Sequence, residues 1–517
     1  MRAVVGVDVG TQGSKVGVYL EDGTLIAHAY AEHTFTYPGA GWVEMDPNQI
    51  EDAVVGALAS AVQSAREQGI PPSAYAGIAL SGILCGPVLV DEDWVPVRPI
   101  IPFLDMRARR EVESIQRLEP TWIEESGTNS LDTYITPATL HWVRDHEPDA
   151  YAKTSKVLSL APYIAGRLAG LRAPKAFIDP THLSGWIIGW DARRLDFSPG
   201  QLETLGISAD LLPRVVPSTD IVGGLTSEMS DRTGLPRGLP VAAGAGDVMQ
   251  SNLAAGQRAV GQATDVAGTA SLITITVASL DPEISRTPGL LYSPGTLPGT
   301  SFYWGYVKAG GLSLRWFRDQ VLGRSGDDEV YRELDALAGA VAPGAHGILF
   351  MPYLSGGGPD FGNAQGTWLG LAAETGTALL WRSLLESIAL EYATFLRTFR
   401  SRGVAVSEVL AVGGGSRSAL WNQIKADVTG VPWRVPARQD GAVLANAALA
   451  SAAVGLGSDV GSVIREWVSL GPAAVPQADA HRLYIELARR RDTLLAGPMR
   501  EVFEELHKLR LLQGEPS

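Results

Sequence analysis

An aspartate near the middle of the chain stands where a catalytic carboxylate would be placed. Asp247 follows the apolar and small residues of segment 241–246 and precedes a helical pattern in segment 248–253. An acid at the carboxyl end of a strand lies where open α/β sheets bind their ligands, and the preceding glycines allow a close approach. The alternative is that Asp247 only caps the following helix. The local pattern leaves both interpretations open.

Two Gly-Thr turns, about half the chain apart, indicate phosphate binding. Segments 8–14 (DVGTQGS) and 265–271 (DVAGTAS) each predict a strand, a tight turn and a returning strand. Backbone N–H groups in such a turn can bind an anion, and a carboxylate before it can hold Mg²⁺ together with substrate phosphates. A surface hairpin is the alternative for either copy alone. The repetition predicts two similar halves that hold one phosphate chain between them.

A third glycine turn, at residues 413–416, follows a strand pattern and precedes a helical one. It does not match the dinucleotide-binding fingerprint, because Ser418 stands in the place of the third glycine. The sequence also lacks a Walker A motif, a His-Glu-x-x-His motif and a Gly-x-Ser-x-Gly nucleophile elbow. P-loop ATPases, zincins and α/β-hydrolases are therefore excluded.

Length and composition limit the class of protein further. A chain of 517 residues predicts two domains, which we place at residues 1–252 and 253–517. The net charge of -14 argues against a nucleic-acid partner. Cys85 is the only cysteine, which excludes an internal disulfide and favours the cytoplasm. Uncharged apolar stretches fall short of the roughly 18 residues of a membrane span, so we expect no membrane partner.

The coarse pattern of elements is that of an α/β protein. Residues 3–29 predict a β-meander, and residues 48–67 a helix with apolar positions at helical spacing. Helical patterns also cover residues 105–118, 156–168 and 378–399. Short buried strands are expected around the 82–86 turn, and a strand before residue 352.

Taken in order, these motifs resemble the FGGY family of carbohydrate kinases, within the sugar-kinase/Hsp70/actin superfamily. The resemblance covers nearly the whole chain, and the xylulokinases are the most similar branch. It implies two ribonuclease-H-like (actin-like ATPase) α/β domains with a central cleft, ATP and Mg²⁺ as cofactors, and phosphorylation of a sugar or polyol. The matching segments are 6–11, 41–47, 105–107, 146–148, 244–247, 268–270, 351–356, 366–371, 413–416, 420–421 and 426–427.

The resemblance also implies a role for individual residues. Asp247 matches the general base and Asp8 the acid near Mg²⁺. On the sugar side lie Asp105 and Arg107, although Arg107 could equally form a structural ion pair. The positions that match nucleotide binding are Thr11, Gln12 and Gly13 in the first hairpin, Gly268 and Thr269 in the second, and Gly310, Gly413, Gly414, Gly415 and Asn422 in the adenosine region.

Three departures from the xylulokinase pattern concern the substrate. Ile83, Leu84 and Cys85 stand where Gln-Met-His is usual, Val248 stands where an amide is usual, and a Gly-Gly-Gly-Pro run at 356–359 replaces a charged loop. A site that hydrogen-bonds a hydroxyl rejects analogues without it, whereas an apolar pocket cannot do so. We therefore expect a substrate with fewer or differently placed hydroxyls than D-xylulose. The alternative is that Trp42 or His182 supplies the missing contacts.

The sequence thus predicts a kinase for a ketopentose such as xylulose or for a related sugar. Other substrates remain open, namely ribulose, a deoxy sugar, or a polyol of the erythritol or glycerol type. A catalytically silent sugar or nucleotide sensor on the same fold is the alternative from another class. An Hsp70-like ATPase is disfavoured, because no peptide-binding domain follows the nucleotide-binding half. A homodimer is compatible with the pattern.

Overall fold

A computed structural model describes residues 1–118, 122–268, 271–307, 310–354, 356 and 362–512. Thr269 and residues 357–359 of the glycine run, all singled out above, lie outside the described residues. Within these ranges no helix is long and apolar enough to cross a membrane.

The strands belong to two large sheets and several two-stranded ribbons. In chain order they are β1 (Ala3–Val9), β2 (Gly13–Leu20), β3 (Leu25–Glu32), β4 (Phe35–Thr36), β5 (Glu44–Met45), β6 (Tyr75–Gly82), β7 (Val88–Val90), β8 (Lys156–Leu158), β9 (Phe177–Ile178), β10 (Trp190–Asp191), β11 (Asp196–Phe197), β12 (Arg214–Val215), β13 (Ile221–Gly224), β14 (Pro240–Ala242), β15 (Ala245–Gly246), β16 (Gln262–Ala267), β17 (Ser271–Val277), β18 (Leu291–Pro294), β19 (Ser301–Val307), β20 (Leu349–Met351), β21 (Thr367–Leu369), β22 (Glu408–Val412), β23 (Trp433–Pro436) and β24 (Leu470–Ala474).

The helices cover the faces of the two large sheets. They are α1 (Pro47–Glu67), α2 (Arg109–Gln116), α3 (Thr136–His146), α4 (Pro148–Lys153), α5 (Leu160–Ala169), α6 (Pro199–Leu205), α7 (Ser227–Thr233), α8 (Asp247–Ala254), α9 (Pro282–Ser285), α10 (Gly310–Trp316), α11 (Glu329–Gly339), α12 (Thr377–Arg400), α13 (Ala419–Thr429), α14 (Ala442–Ala453), α15 (Val460–Trp467), α16 (Ala478–Ala496) and α17 (Pro498–Leu512).

The two large sheets share one topology. The first has the order β13-β14-β6-β1-β2-β3, and the second the order β18-β19-β17-β16-β22-β23-β24. In each, an antiparallel meander (β1–β2–β3 or β16–β17–β19) is extended by a strand parallel to its first member (β6 or β22). The predicted duplication and the two-domain α/β architecture are therefore confirmed.

The first strand is apolar along almost its whole length because both of its faces are covered. Helix α1 packs on one side of this sheet and helix α14, from the second half of the chain, on the other. A Cβ at Gly6 would lie 2.0 Å from the Val443 carbonyl oxygen, so α14 approaches the sheet at backbone distance. The domain boundary at residue 252 stays a prediction, because residues beyond it complete the packing of the first sheet.

Two helix predictions were wrong at their N-terminal ends. Residues 156–158 form β8 instead of helix, since they pair with β7 in an antiparallel ribbon, a long-range contact that local periodicity does not reveal. Helix α2 begins at Arg109 and not near Asp105. The Asp105 carboxylate accepts a hydrogen bond from the Arg107 N–H at 2.8 Å, which stabilises a turn there.

Candidate active site

Three neighbouring strand ends place Asp8 and Asp247 on either side of β6. Asp8 in β1 is paired with Ser81 in β6. On the other side of β6, Ala245 is also paired with Ser81, and Gly246, just before Asp247, with Gly82. Because β1, β6 and β15 are parallel, both acids lie at the carboxyl edge of the sheet, where α/β proteins bind ligands.

Asp247 is the first residue of α8, and the helix-cap position belongs to Gly246, which makes no side-chain cap. The Asp247 carboxylate accepts a hydrogen bond from the Val248 N–H at 2.8 Å. Burial, and then the charge of Asp8, raise the pKa of Asp247 to about 7, although the Val248 N–H opposes this shift. These features favour the acid–base interpretation over the capping one, since a base acts best with a pKa near the working pH.

Asp8 is the second carboxylate at this edge. It accepts a hydrogen bond from Ser81 Oγ at 2.9 Å. Burial raises the pKa of Asp8, and Ser81 and Lys15 oppose the rise. Among the described residues no group of three or more histidine, cysteine, aspartate or glutamate side chains could hold a metal. Mg²⁺ often takes one or two carboxylates and completes its shell with phosphates and water, so the Asp8 position fits that ion.

A cavity of about 730 Å³ lies at the end of the second sheet and has the size of a nucleotide site. Gly268, from the second Gly-Thr turn, lines it, and the Gly311 N–H at the start of α10 donates to the Gly268 carbonyl at 3.1 Å. The other lining residues are Ala267, Gly311, Leu314, Arg315, Arg318, Asp328, Glu329, Tyr331, Arg332, Asp335, Trp381, Leu385, Gly414, Gly415, Arg417, Ser418 and Trp421.

Close packing explains why glycine is needed around this cavity. Gly413 has φ +82°, and a Cβ on it would lie 2.9 Å from the Ala267 carbonyl oxygen. A Cβ on Gly415 would lie 2.7 Å from the Ala267 Cβ, and one on Gly310 would lie 2.1 Å from Ser271 Oγ. The structure therefore brings three predicted segments, around residues 268, 310 and 413–415, to one place.

The remaining predicted nucleotide residues have other positions. Asn422 is buried behind the glycine turn and donates to the Ser416 carbonyl at 2.7 Å, so it supports the turn. In the first hairpin the Gly10 N–H donates to the Gly13 carbonyl at 3.1 Å. Thr11 and Gln12 form the tip of this hairpin. Their contact with phosphate stays a prediction.

Helices α11 and α12, which no sequence motif indicated as part of the site, form a wall of this cavity together with α10, which begins at the predicted Gly310. Asp335 lies half-buried in this wall and accepts hydrogen bonds from Trp381 Nε1 at 2.9 Å and Ser418 Oγ at 2.6 Å. Burial raises the pKa of Asp335, and both donors oppose the rise. No local pattern identifies this residue, because its partners come from elements far apart in the chain.

An apolar cluster lies beside Asp247 and contains residues predicted to contact the sugar. Leu84, Met249 and Phe302 are buried together, and Val248, Cys85 and Trp304 pack against them. Burial and the charge of Asp247 raise the pKa of the Cys85 thiol to about 12. Ile83 belongs instead to the core of the first sheet.

Aromatic residues of the second half reach this cluster, and the sequence analysis missed them. Tyr306 is 61% exposed, and its ring meets that of Trp304 edge-on with the centres 5.9 Å apart. Desolvation of its hydroxyl, and then Cys85 and Asp247, raise the pKa of Tyr306. Cys85 and Tyr306 likewise raise the pKa of Tyr134, after burial. Strand β19 brings Phe302, Trp304 and Tyr306 across from the other half of the chain, and sequence spacing could not have indicated this.

Asp105 and Arg107 form the structural ion pair that the sequence left as an alternative. Both side chains are 1% exposed, and their charged groups lie 2.8 Å apart. Arg107 also binds Glu44 at 2.8 Å and lies 4.3 Å from the centre of the Trp42 ring. His182 is completely buried, so it cannot contact a substrate in this conformation. A role for Asp105 and Arg107 in sugar binding stays a prediction.

Two duplicated α/β domains, with a carboxylate edge and a glycine-lined cavity, define a phosphotransferase class of the actin-like ATPase fold. The models for the N-terminal and C-terminal domains of the FGGY family of carbohydrate kinases match residues 3–254 and 265–454. The chain belongs to this family. It is an ATP-dependent sugar kinase, and enzymes of this family typically use Mg²⁺.

Named relatives fall into two groups. An autoinducer-2 kinase of Klebsiella pneumoniae subsp. pneumoniae is 27% identical over 96% of this chain and 94% of its own length. A xylulose kinase of Staphylococcus epidermidis is 25% identical over 93% and 94%. The crystal structure of xylulose kinase from Rhodospirillum rubrum superposes with a TM-score of 0.86 at 28% identity, covering 97% of this chain and 100% of that one.

Proposed function

We propose that this kinase transfers the terminal phosphate of ATP to a hydroxyl of a small sugar, with Asp247 as the general base. The observation that carries the proposal is the position of the Asp247 carboxylate. It stands at the open edge of the sheet, beside Asp8, with a pKa of about 7 and a hydrogen bond from the Val248 N–H.

The roles of the other groups follow from the same geometry. Phosphoryl transfer requires mainly positioning, charge stabilisation and a group that accepts the hydroxyl proton. ATP would occupy the cavity lined by Gly268 and Gly415, and Mg²⁺ would lie near Asp8 and reduce the charge of the phosphates. Asp247 would accept the proton on a carboxylate oxygen as the hydroxyl oxygen attacks the γ-phosphorus, and ADP would leave with the electron pair of the broken bond between that phosphorus and the bridging oxygen.

For the substrate, we propose a sugar with fewer or differently placed hydroxyls than D-xylulose. Leu84, Cys85 and Val248 offer an apolar wall beside Asp247, and such a wall cannot hydrogen-bond a hydroxyl. Autoinducer-2 is the first compound to test, because a relative covering nearly the whole chain is named for it. D-Xylulose is the second candidate, since the other relatives compared are xylulose kinases.

The base is tested by Asp247→Asn, which keeps the shape of the side chain but cannot accept the proton. We expect kcat to fall by roughly 10²–10⁴, the scale of a lost general base, with ATP binding retained. ADP release gives the rate, and calorimetry gives the ATP affinity. The matched control is Asp231→Asn on the exposed surface of α7. Normal turnover in Asp247→Asn would refute the role.

The substrate is tested with a panel read by ADP release: autoinducer-2, D-xylulose, D-ribulose, 1-deoxy-D-xylulose, erythritol and glycerol. We expect kcat/KM for D-xylulose to be at least about tenfold below that of the preferred compound, the scale of one unmatched polar contact. Val248→Asn offers an amide to a sugar hydroxyl, so it should reduce the difference in kcat/KM between D-xylulose and the preferred compound. A clear preference for D-xylulose would contradict the substrate proposal but not the assignment of sugar-kinase activity. Binding of a sugar without ADP release would favour a silent sensor.

A further inference from the structure

A buried polar cluster lies behind the strand that leads to Asp247. Its centre is Asp179, which is 0% exposed. Thr181 Oγ1 donates to Asp179 Oδ1 at 2.7 Å, and Ser218 Oγ donates to Asp179 Oδ2 at 2.5 Å. His182 Nδ1 lies 2.5 Å from Asp179 Oδ1, and the whole ring is buried. A carboxylate held by three side chains in the interior has a fixed orientation.

The cluster holds the strand at two points. The Gly246 N–H donates to Thr181 Oγ1 at 2.8 Å, and the Gly244 N–H donates to the Ser218 carbonyl at 3.1 Å. Thr181 therefore donates to Asp179 and accepts from Gly246 with the same hydroxyl. The backbone just before Asp247 is thus connected to Asp179 through two separate residues.

This connection matters because the Asp247 carboxylate is held by the backbone next to it. The Asp247 carboxylate accepts a hydrogen bond from the N–H of its own neighbour, Val248. Gly244 has φ +80°, and a Cβ there would lie 2.1 Å from the Leu80 carbonyl oxygen, so the strand already lies at backbone contact with β6. The direction of the carboxylate therefore follows from the backbone at residues 244–246.

We infer that Asp179, Thr181 and Ser218 form a positioning relay that orients Asp247 toward the sugar hydroxyl. This inference rests on the proposed role of Asp247 as the base. His182 adds a third partner to Asp179 and is part of the relay. None of these residues touches substrate; they act through the 243–244 and 245–246 peptide units, whose N–H groups they bind. An error of about 1 Å in the placement of a reacting group can cost roughly 100-fold in rate.

The first test compares Thr181→Val with Thr233→Val. Thr233 in α7 is a matched control, because its buried hydroxyl also donates to a carbonyl (Met229, 2.6 Å) and accepts from an N–H (Leu235, 3.3 Å). We expect Thr181→Val to lower kcat by about 10- to 100-fold with the KM for ATP within about twofold, and Thr181→Ser to restore most of the rate. Thr233→Val should leave kcat unchanged.

An unchanged kcat in Thr181→Val, or an equal loss in Thr233→Val, would overturn the inference. Should Thr181→Val fail to fold, Ser218→Ala is used in the same way, since it removes a donor to Asp179 and keeps the carbonyl that binds Gly244. Thermal unfolding of each variant separates a loss of folded enzyme from a loss of rate.

The second test separates this inference from the proposed base. Thr181→Val is added to Asp247→Asn, and the residual rates are compared. If Thr181 acts through Asp247, the second substitution causes no further loss, because coupled residues are not additive. An additional loss of tenfold or more would overturn the relay while leaving Asp247 as the base. Full turnover in Asp247→Asn alone would refute the base itself.

Discussion

The two halves of the molecule use the same aspartate position in opposite ways. Asp8 precedes the first Gly-Thr turn and Asp265 the second, each near the end of the central strand of its sheet. Asp8 is partly exposed at the carboxyl edge, where Ser81 is its hydrogen-bond donor. Asp265 is 0% exposed and binds Lys425 Nζ and the Tyr392 hydroxyl, both at 2.6 Å.

The surroundings of Asp265 explain the difference. Lys425 of α13 is completely buried, with its ammonium 3.7 Å from the centre of the Trp421 ring and 4.9 Å from those of Tyr392 and Trp433. Burial lowers the pKa of Lys425, and Asp265 opposes this. The second aspartate thus fixes α13 on the sheet, whereas the first stays available to a ligand. Equivalent positions in a duplicated fold do not imply equivalent roles.

The comparison is tested most severely by Lys425→Met, which leaves Asp265 buried without its cation. We expect the free energy of unfolding to fall by about 3–5 kcal/mol, the usual result when one partner of a buried pair is removed. Urea unfolding followed by tryptophan fluorescence measures this. The double variant Lys425→Met/Asp265→Asn should recover part of the loss. A loss below about 1 kcal/mol would show that the pair does not hold the helix.

In contrast to Lys425→Met, which should lower stability, Asp8→Asn is expected to lower the rate and not the stability. Its stability should be unchanged or slightly higher, because burial already raises the pKa of Asp8 and the neutral amide avoids that cost. Its kcat should fall by roughly 10- to 100-fold at fixed Mg²⁺, since a carboxylate near the ion is lost. ADP release over a Mg²⁺ titration measures this. The control is Asp265→Asn, whose Mg²⁺ dependence should match that of the unaltered enzyme.

Much of the first sheet and of the phosphate turns could be predicted, because their patterns are local. Alternating apolar runs indicate the meander of residues 3–32, and glycines mark the turns around Gly268 and Gly415. The remainder depends on contacts between distant segments. Asp8 and Asp265 stand in nearly the same sequence pattern, and only the position of Lys425, 160 residues further on, distinguishes them. Asp179 and Tyr306 were missed for the same reason.

The smallest effect expected concerns the pH dependence of the reaction. Because Asp247 must be ionised to accept a proton and its pKa is raised to about 7, kcat/KM for the sugar should rise as the pH increases toward 7 and level off above it. Part of the increase in the pKa of Asp247 comes from the negative charge of Asp8. In Asp8→Asn the midpoint should therefore move to lower pH, by less than about one unit, since burial remains the larger cause.

The same profile discriminates between the two aspartates. Asp265→Asn should leave the midpoint where it is, because Asp265 is not among the charges that act on Asp247. The midpoint is read from kcat/KM by ADP release between pH 5 and 9, at saturating ATP and Mg²⁺. An equal shift in both variants would mean that the titration reports the general charge of the protein. A shift confined to Asp8→Asn would connect the Gly-Thr turn of the first half directly to the base.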